Sequence, residues 1–295
     1  MPRIRSRGKD LSIIRARVRT SEVSVAAPTY TPFLNQSFSG TLGNDLTELA
    51  VRVAGNLTYD DTYAGPFDEA QIAKSYIPAY SGAGSSNFGG DWGDVGATIV
   101  DGTSVWFRMY HYIPSAFCAG WDTGGWDNVK WLAFEIDDGV ESTGPRFTFQ
   151  LGEFTEGACA SSSVAPNTRL FTLEQSSTYS PFSAQNQYFG SPVALPRDQW
   201  VALQVEIHYA SGTDGYLRVW LGETFIGEIT GLTTFIASVE NPFQLRLSHG
   251  LTWNGGSYQA NTWYIQSPIG TIQTPNTLDS GSRPFIHPDH KLSDF

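Results

Sequence analysis

QWVALQVEIHYASGTDGYLRVWLGETFIGEITGL, residues 199–232, is the stretch whose reading decides the fold. In its first run Val201, Leu203, Val205, Ile207 and Tyr209 alternate with Gln204, Glu206 and His208. A strict period of two puts the apolar set on one face of a β-strand and the polar set on the other. Asp214-Gly215 is a hairpin turn signal. The returning run places Leu217, Val219 and Leu221 on one side and Arg218 and Trp220 on the other. Leu221-Gly222-Glu223 turns again into residues 224–229. The segment is a three-stranded meander with one dry face and one polar, aromatic face.

Working outward, strand-like runs recur at residues 49–53, 104–113, 129–136, 146–151, 169–173, 243–249 and 262–265, separated by Gly, Asn, Asp, Ser and Pro. Residues 68–75 offer a short helical pattern. Many strands with irregular turns indicate an all-β sandwich or barrel, and the lack of a fixed-period repeat argues against a propeller or solenoid. Hydrophobic residues make up 40% of the chain and charged residues 16%, a globular composition. No apolar run reaches the roughly 20 residues of a membrane span. The N-terminus has no secretory h-region, so the expectation is a protein without a secretion signal.

Charge is unevenly placed. The first twenty residues carry seven of the 18 Lys and Arg, namely Arg3, Arg5, Arg7, Lys9, Arg15, Arg17 and Arg19, against Asp10 alone. The rest is strongly acidic, and the whole chain has a net charge of −11. Ile14, Ala16 and Val18 alternate with Arg15, Arg17 and Arg19, the pattern of an extended strand with an arginine face. Such an arm suits addition to a neighbour's sheet edge, so Arg3, Arg5, Arg7, Arg15, Arg17 and Arg19 are partner-binding candidates toward other protein chains. The acidic body disfavours nucleic acid. The expected organisation is an extended basic arm and linker at 1–32, a sandwich at 33–275 and a C-terminal tail at 276–295. Cys118 and Cys159 could form a disulfide or remain two thiols, and neither sits at zinc-ligand spacing.

The meander resembles the concanavalin A-like lectin/glucanase superfamily, including its laminin-G-like and polysaccharide-lyase-like members. The matching pattern is a Trp opening a strand, then a G-x-L-x-V-W hairpin. Here the turn is Leu221-Gly222-Glu223, lacking the family's usual Asp or Asn before Gly. VWFRMYHYIPSAF (residues 105–117) and NTWYIQSPIG (residues 261–270) resemble further strands of that family. The resemblance spans residues 33–274 and implies an all-β, concanavalin-like antiparallel jelly roll of two packed sheets, one of them concave. It says little about activity, because the superfamily holds lectins, hydrolases, lyases and structural domains.

Three chemistries compete. Laminarinase-type hydrolases carry E-x-D-x-E or E-x-D-x-x-E on one strand. Here Glu135 and Asp137 share a face, but Glu141 falls one residue beyond that spacing. A one-residue slip reverses a side chain's face, and Asp137-Asp138-Gly139 reads as a turn. A lyase needs a base and groups that neutralise a uronate carboxylate. His208, Tyr110, Arg108, Gln204 and Arg246 are the candidates, although the Q-x-H of alginate-type lyases is missing. Glycan binding without chemistry would use Trp121, Trp126 and Trp253 as stacking faces, with Asp122, Asn128 and Asn254 beside them. Trp92 lies in a similar Gly/Asp-rich setting. Asp122, Asp127 and Asn128 also offer oxygen ligands to Ca2+, a cofactor for which the D-x-D-x-D-G loop is missing; no other cofactor is implied.

The preferred expectation is a non-catalytic structural or decoration protein of a tailed-phage virion, docked by its arm, with a sandwich that offers a cell-surface glycan site. The alternative is a polysaccharide lyase or a laminarinase-type glycoside hydrolase.

Overall fold

The computed structural model describes residues 25–67, 69, 71–78, 80–81, 85–116, 128–137, 146–152, 167–172, 187–189, 193–194, 196–235, 243–254, 257–258 and 260–295. Its strands of four or more residues, in chain order, are β1 (Leu57–Asp60), β2 (Ile72–Ile77), β3 (Ser85–Ile99), β4 (Ser104–Tyr112), β5 (Asn128–Asp137) and β6 (Arg146–Gly152). They continue as β7 (Asn167–Thr172), β8 (Trp200–His208), β9 (Gly215–Leu221), β10 (Thr224–Leu232), β11 (Phe243–Asn254) and β12 (Asn261–Thr271).

These build two antiparallel sheets. Sheet I runs β10-β9-β8-β4-β12-β2-β1, with the short strand Leu34–Asn35 added beside β12. Sheet II runs from Gln187–Tyr188 through β7-β6-β5-β11-β3 to Ala50–Val51, with Val193–Ala194 beside β7. The expected all-β jelly-roll sandwich is what the chain forms. The meander folds as its period requires: β8 pairs β9 with Leu203 opposite Leu221, Val205 opposite Val219 and Ile207 opposite Leu217.

The core lies between the sheets. Val105, Phe107 and Met109 of β4 join Leu203, Val205 and Ile207 of β8 from one side. Phe134 and Ile136 of β5, Phe147 and Phe149 of β6, and Leu245 and Leu247 of β11 meet them from the other. Phe134 links the layers, with its ring edge-on to Phe107 at 5.7 Å and to Phe149 at 5.6 Å. Each such side chain contributes roughly 1.5–3 kcal/mol on burial. The alternating inward residues therefore hold the layers together, and the outward faces are left for polar groups.

Two local readings are corrected. Residues 72–77 form β2, not a helix: Ile72 and Ala73 are fully buried, and the strand pairs with both β1 and β12. Pairing on both sides outweighs a weak local helical pattern. The Gly-rich segment around Trp92 is not a loop but the middle of β3, a 15-residue strand. Its glycines hide the strand period, and its pairing with β11 shifts register twice. Gly93 and Gly96 take φ of 70° and 73°, which a side chain would resist. Trp92 consequently packs against the core, 6.1 Å from the Phe107 ring.

Candidate functional site

The outward face of sheet I collects four of the five lyase candidates. Pairing of β8 with β4 sets Gln204 beside Arg108, Ala202 beside Tyr110 and His208 beside Ser104. This face is covered by the chain's own C-terminal segment. Arg108, fully buried, donates from Nη1 to the carbonyls of His287 (2.7 Å), Pro288 (3.0 Å) and His290 (2.8 Å). Tyr110 Oη donates to the Pro288 carbonyl. Gln204 Oε1 accepts from the Ile286 amide at 2.6 Å. Burial lowers the Arg108 pKa, opposed by Tyr110, Tyr30 and Glu69. Burial raises Tyr110 to about 12 against the pull of Arg108. His208 lies past the covered rows, bonded to Ser104 Oγ at 2.8 Å and stacked on Tyr216 at 4.9 Å.

Asp279 anchors the covering segment, which turns back between the paired strands Thr277–Leu278 and Pro284–Phe285. Its carboxylate accepts from Gly281 N (2.8 Å), Arg283 N (3.0 Å), Arg283 Nε (2.8 Å) and the fully buried Trp220 Nε1 (2.9 Å). Burial would raise the Asp279 pKa, but these donors outweigh it and the net shift is downward.

The outward face of sheet II carries an open cleft of about 320 Å³, lined by Arg52, Asp91, Gly93, Glu135, Arg246, Leu247 and Ser248. Arg246 on β11 stands between Asp94 of β3 and Glu135 of β5, and Ser248 stands opposite Asp91. Asp91 is gripped by Arg52 through two bonds, Nε to Oδ2 at 3.0 Å and Nη2 to Oδ1 at 2.6 Å. Cross-strand neighbours of opposite charge are favourable on a sheet face. Arg146 is also a register neighbour of Glu135, so the row across β3, β11, β5 and β6 alternates in charge. Arg246 is thus separated from Arg108, Tyr110, Gln204 and His208 by the whole thickness of the core.

The remaining candidates are placed as follows. Trp121, Asp122 and Trp126 lie outside the described residues, as do Asp127, Cys118, Cys159, Glu141 and the arm with Arg3, Arg5, Arg7, Arg15, Arg17 and Arg19. Asn128, Trp253 and Asn254 lie on strands of sheet II, where Trp253 is paired with Val129 and Asn128 with Gly152. The register therefore brings Asn128 and Trp253 to adjacent positions at one end of that sheet. Among the described residues no group of three or more His, Cys, Asp or Glu could hold a metal, and no helix is long and apolar enough to cross a membrane. Sequence reasoning missed Arg52 and Asp91. Their signal was faint: an Arg one residue past a short apolar run, and an Asp in a stretch that reads as a loop.

A family model described as polysaccharide lyase matches residues 52–267. No curated protein matches the chain. Among solved structures, a mutant alginate lyase in complex with alginate trisaccharide is 12% identical, with a TM-score of 0.51, over 81% of this chain and 98% of that one. An endo-β-1,4-glucuronan lyase from the fungus Trichoderma reesei is 13% identical, with a TM-score of 0.49, over 80% and 96%. An alginate lyase from Chlorella virus is 13% identical, with a TM-score of 0.43, over 75% and 94%. The family match overturns the preferred expectation of a non-catalytic virion protein and favours its alternative. A basic arm and a missing Q-x-H motif were too little to set against a fold whose sequence signature is shared by enzymes and inert domains alike.

Proposed function

The chain belongs to the polysaccharide lyase family, and from that premise we propose that it cleaves a uronate-bearing polysaccharide by β-elimination in the cleft of sheet II. The observation that carries the placement is the contrast between the two outer faces. On sheet I, Arg108, Tyr110 and Gln204 are covered by residues 286–290, whereas sheet II presents an open polar cleft with two arginines.

β-Elimination breaks the C5–H bond, forms the C4–C5 double bond and expels the glycosidic oxygen from C4, which takes a proton from water and leaves as a hydroxyl. The proton is hard to remove while the neighbouring carboxylate is charged, so a lyase must neutralise that carboxylate and supply a base. Arg246, on the cleft floor, takes the first role, with Arg52 at the cleft wall. Arginine suits it because its planar fork matches a carboxylate at two points. Asp91 and Glu135 are the cleft's acids among the described residues. Glu135, which lines the cleft and stands beside Arg246 in the register, is the acid we assign to accept the C5 proton.

The test is the ultraviolet absorbance of unsaturated ends released from a panel of polyuronates. Wild type should produce it. Arg246→Ala and Glu135→Gln should each lower the rate by about 10²–10⁴ while the fold is retained, the range for an electrostatic or general-base group. Full activity in both variants would remove the reaction from this cleft.

A further inference from the structure

The N-terminal segment and the C-terminal cover meet at one histidine. His290 is almost fully buried, and its ring spans the two. Nε2 lies 3.0 Å from the Ala26 carbonyl, and Nδ1 lies 3.1 Å from Tyr30 Oη. A carbonyl can only accept, so Nε2 carries the proton. Nδ1 of the neutral ring then accepts from the Tyr30 hydroxyl. The backbone carbonyl of the same residue accepts from Arg108 at 2.8 Å. One residue thus holds residues 26–30 through its neutral ring and sheet I through its backbone carbonyl.

We propose that His290 is a pH-operated latch: its protonation breaks the joint between the C-terminal cover and residues 26 and 30 and loosens the cover on the outer face of sheet I. A second ring proton would sit on Nδ1 and face the hydroxyl that now donates to it. The new charge would be buried beside a cation. The groups around the ring are mostly ill-suited to receive it. From β4 comes Arg108, itself fully buried. From the cover comes the His287 ring, 5.8 Å away. From the N-terminal segment comes Tyr30, whose pKa burial raises. Asp294 is the opposing acid, and its carboxylate accepts from the Lys291 amide at 2.7 Å. Asp289 lies against His287, 4.0 Å from its Nδ1. Burial lowers the His290 pKa; the Ala26 carbonyl opposes this, while His287 and Arg108 reinforce it.

The sign follows. With the folded pKa below the ordinary histidine value of 6.5, the latch is fully fastened above that value. It is lost as pH falls through the lowered folded pKa. The response should stay local. Asn276 holds the Ala27 carbonyl at 2.9 Å and the Thr29 amide at 3.2 Å through a neutral amide that does not titrate.

The experiment is hydrogen exchange by mass spectrometry on the full chain, corrected for intrinsic rate, between about pH 7.5 and about pH 5, the window in which histidine changes charge. Peptides covering residues 284–295 should lose at least tenfold protection on acidification, while residues 201–207 of β8 and the Thr29 and Thr31 amides, bonded to Asn276 and Gln273, keep theirs. His290→Gln can donate to Ala26 and accept from Tyr30 without titrating, so its protection should not change with pH. His287→Gln should still show the loss. Equal protection of wild type at both pH values overturns the latch. So does an acid response that survives in His290→Gln or vanishes in His287→Gln. Should His290→Gln fail to fold, wild type and His287→Gln decide the matter by the same criteria.

Discussion

Replacing Asp279 with Ala tests whether the C-terminal segment is an integral cover of sheet I. The side chain satisfies four donors. Removing it leaves the Trp220 indole N–H unpaired at a position with no solvent access, at a cost of about 1–3 kcal/mol. The two turn bonds to the Gly281 and Arg283 amides add about 1 kcal/mol each. The Arg283 ion pair is partly exposed on the arginine side and adds little. The expected loss is about 3–5 kcal/mol, read from urea unfolding monitored by tryptophan fluorescence. Asp279→Asn can keep its oxygen on the Gly281 and Arg283 amides, but its NH2 then faces the Trp220 indole N–H, so it should still cost about 1–3 kcal/mol. The Ala variant should also raise hydrogen exchange at Ile286, whose amide is bonded to Gln204. A loss under about 1 kcal/mol, the usual range for surface positions, would refute the view that this segment is packed structure.

Other outcomes follow from the same geometry. Gly215→Ala would bring a Cβ within 2.6 Å of the Leu232 carbonyl oxygen and 2.3 Å of Thr234 Oγ1; it should cost about 1–3 kcal/mol, measured as a lowered urea midpoint. His111 is buried between the sheets and accepts from Trp263 Nε1 at 2.7 Å. Burial, reinforced by His249, holds its pKa well below 6.5. Neutral His111 therefore stabilises the fold above pH 6.5 and ceases to do so as pH falls through its lowered folded value. Melting temperature should drop on acidification, and less steeply in His111→Gln; equal slopes would contradict this.

The sandwich was legible because burial on one face writes a period of two into a strand. Residues 201–209 and 216–221 carry that period, and their register follows it residue by residue. β3 was not legible, because its glycines and two register shifts erase the alternation. The site was legible only in part. Gln204 and His208 share a face by the period of β8, and parity within one strand is local information; that Arg108 and Tyr110 of β4 lie beside them while Arg246 lies on the other sheet is set by pairing. Which face stays open is not local. It depends on residues 284–290 returning to sheet I across some 180 positions of chain. Likewise, Arg246 meets Glu135 and Arg52 meets Asp91 only through sheet pairing.

The most direct test of the central claim is the chemistry of the cut ends. The purified chain should be incubated with polyuronates and the products weighed by mass spectrometry. The account predicts oligosaccharides with one unsaturated end, each lighter by one water than a hydrolytic product, and their loss in Arg246→Ala. Products with two saturated ends, or intact polymer across the whole panel, would contradict it.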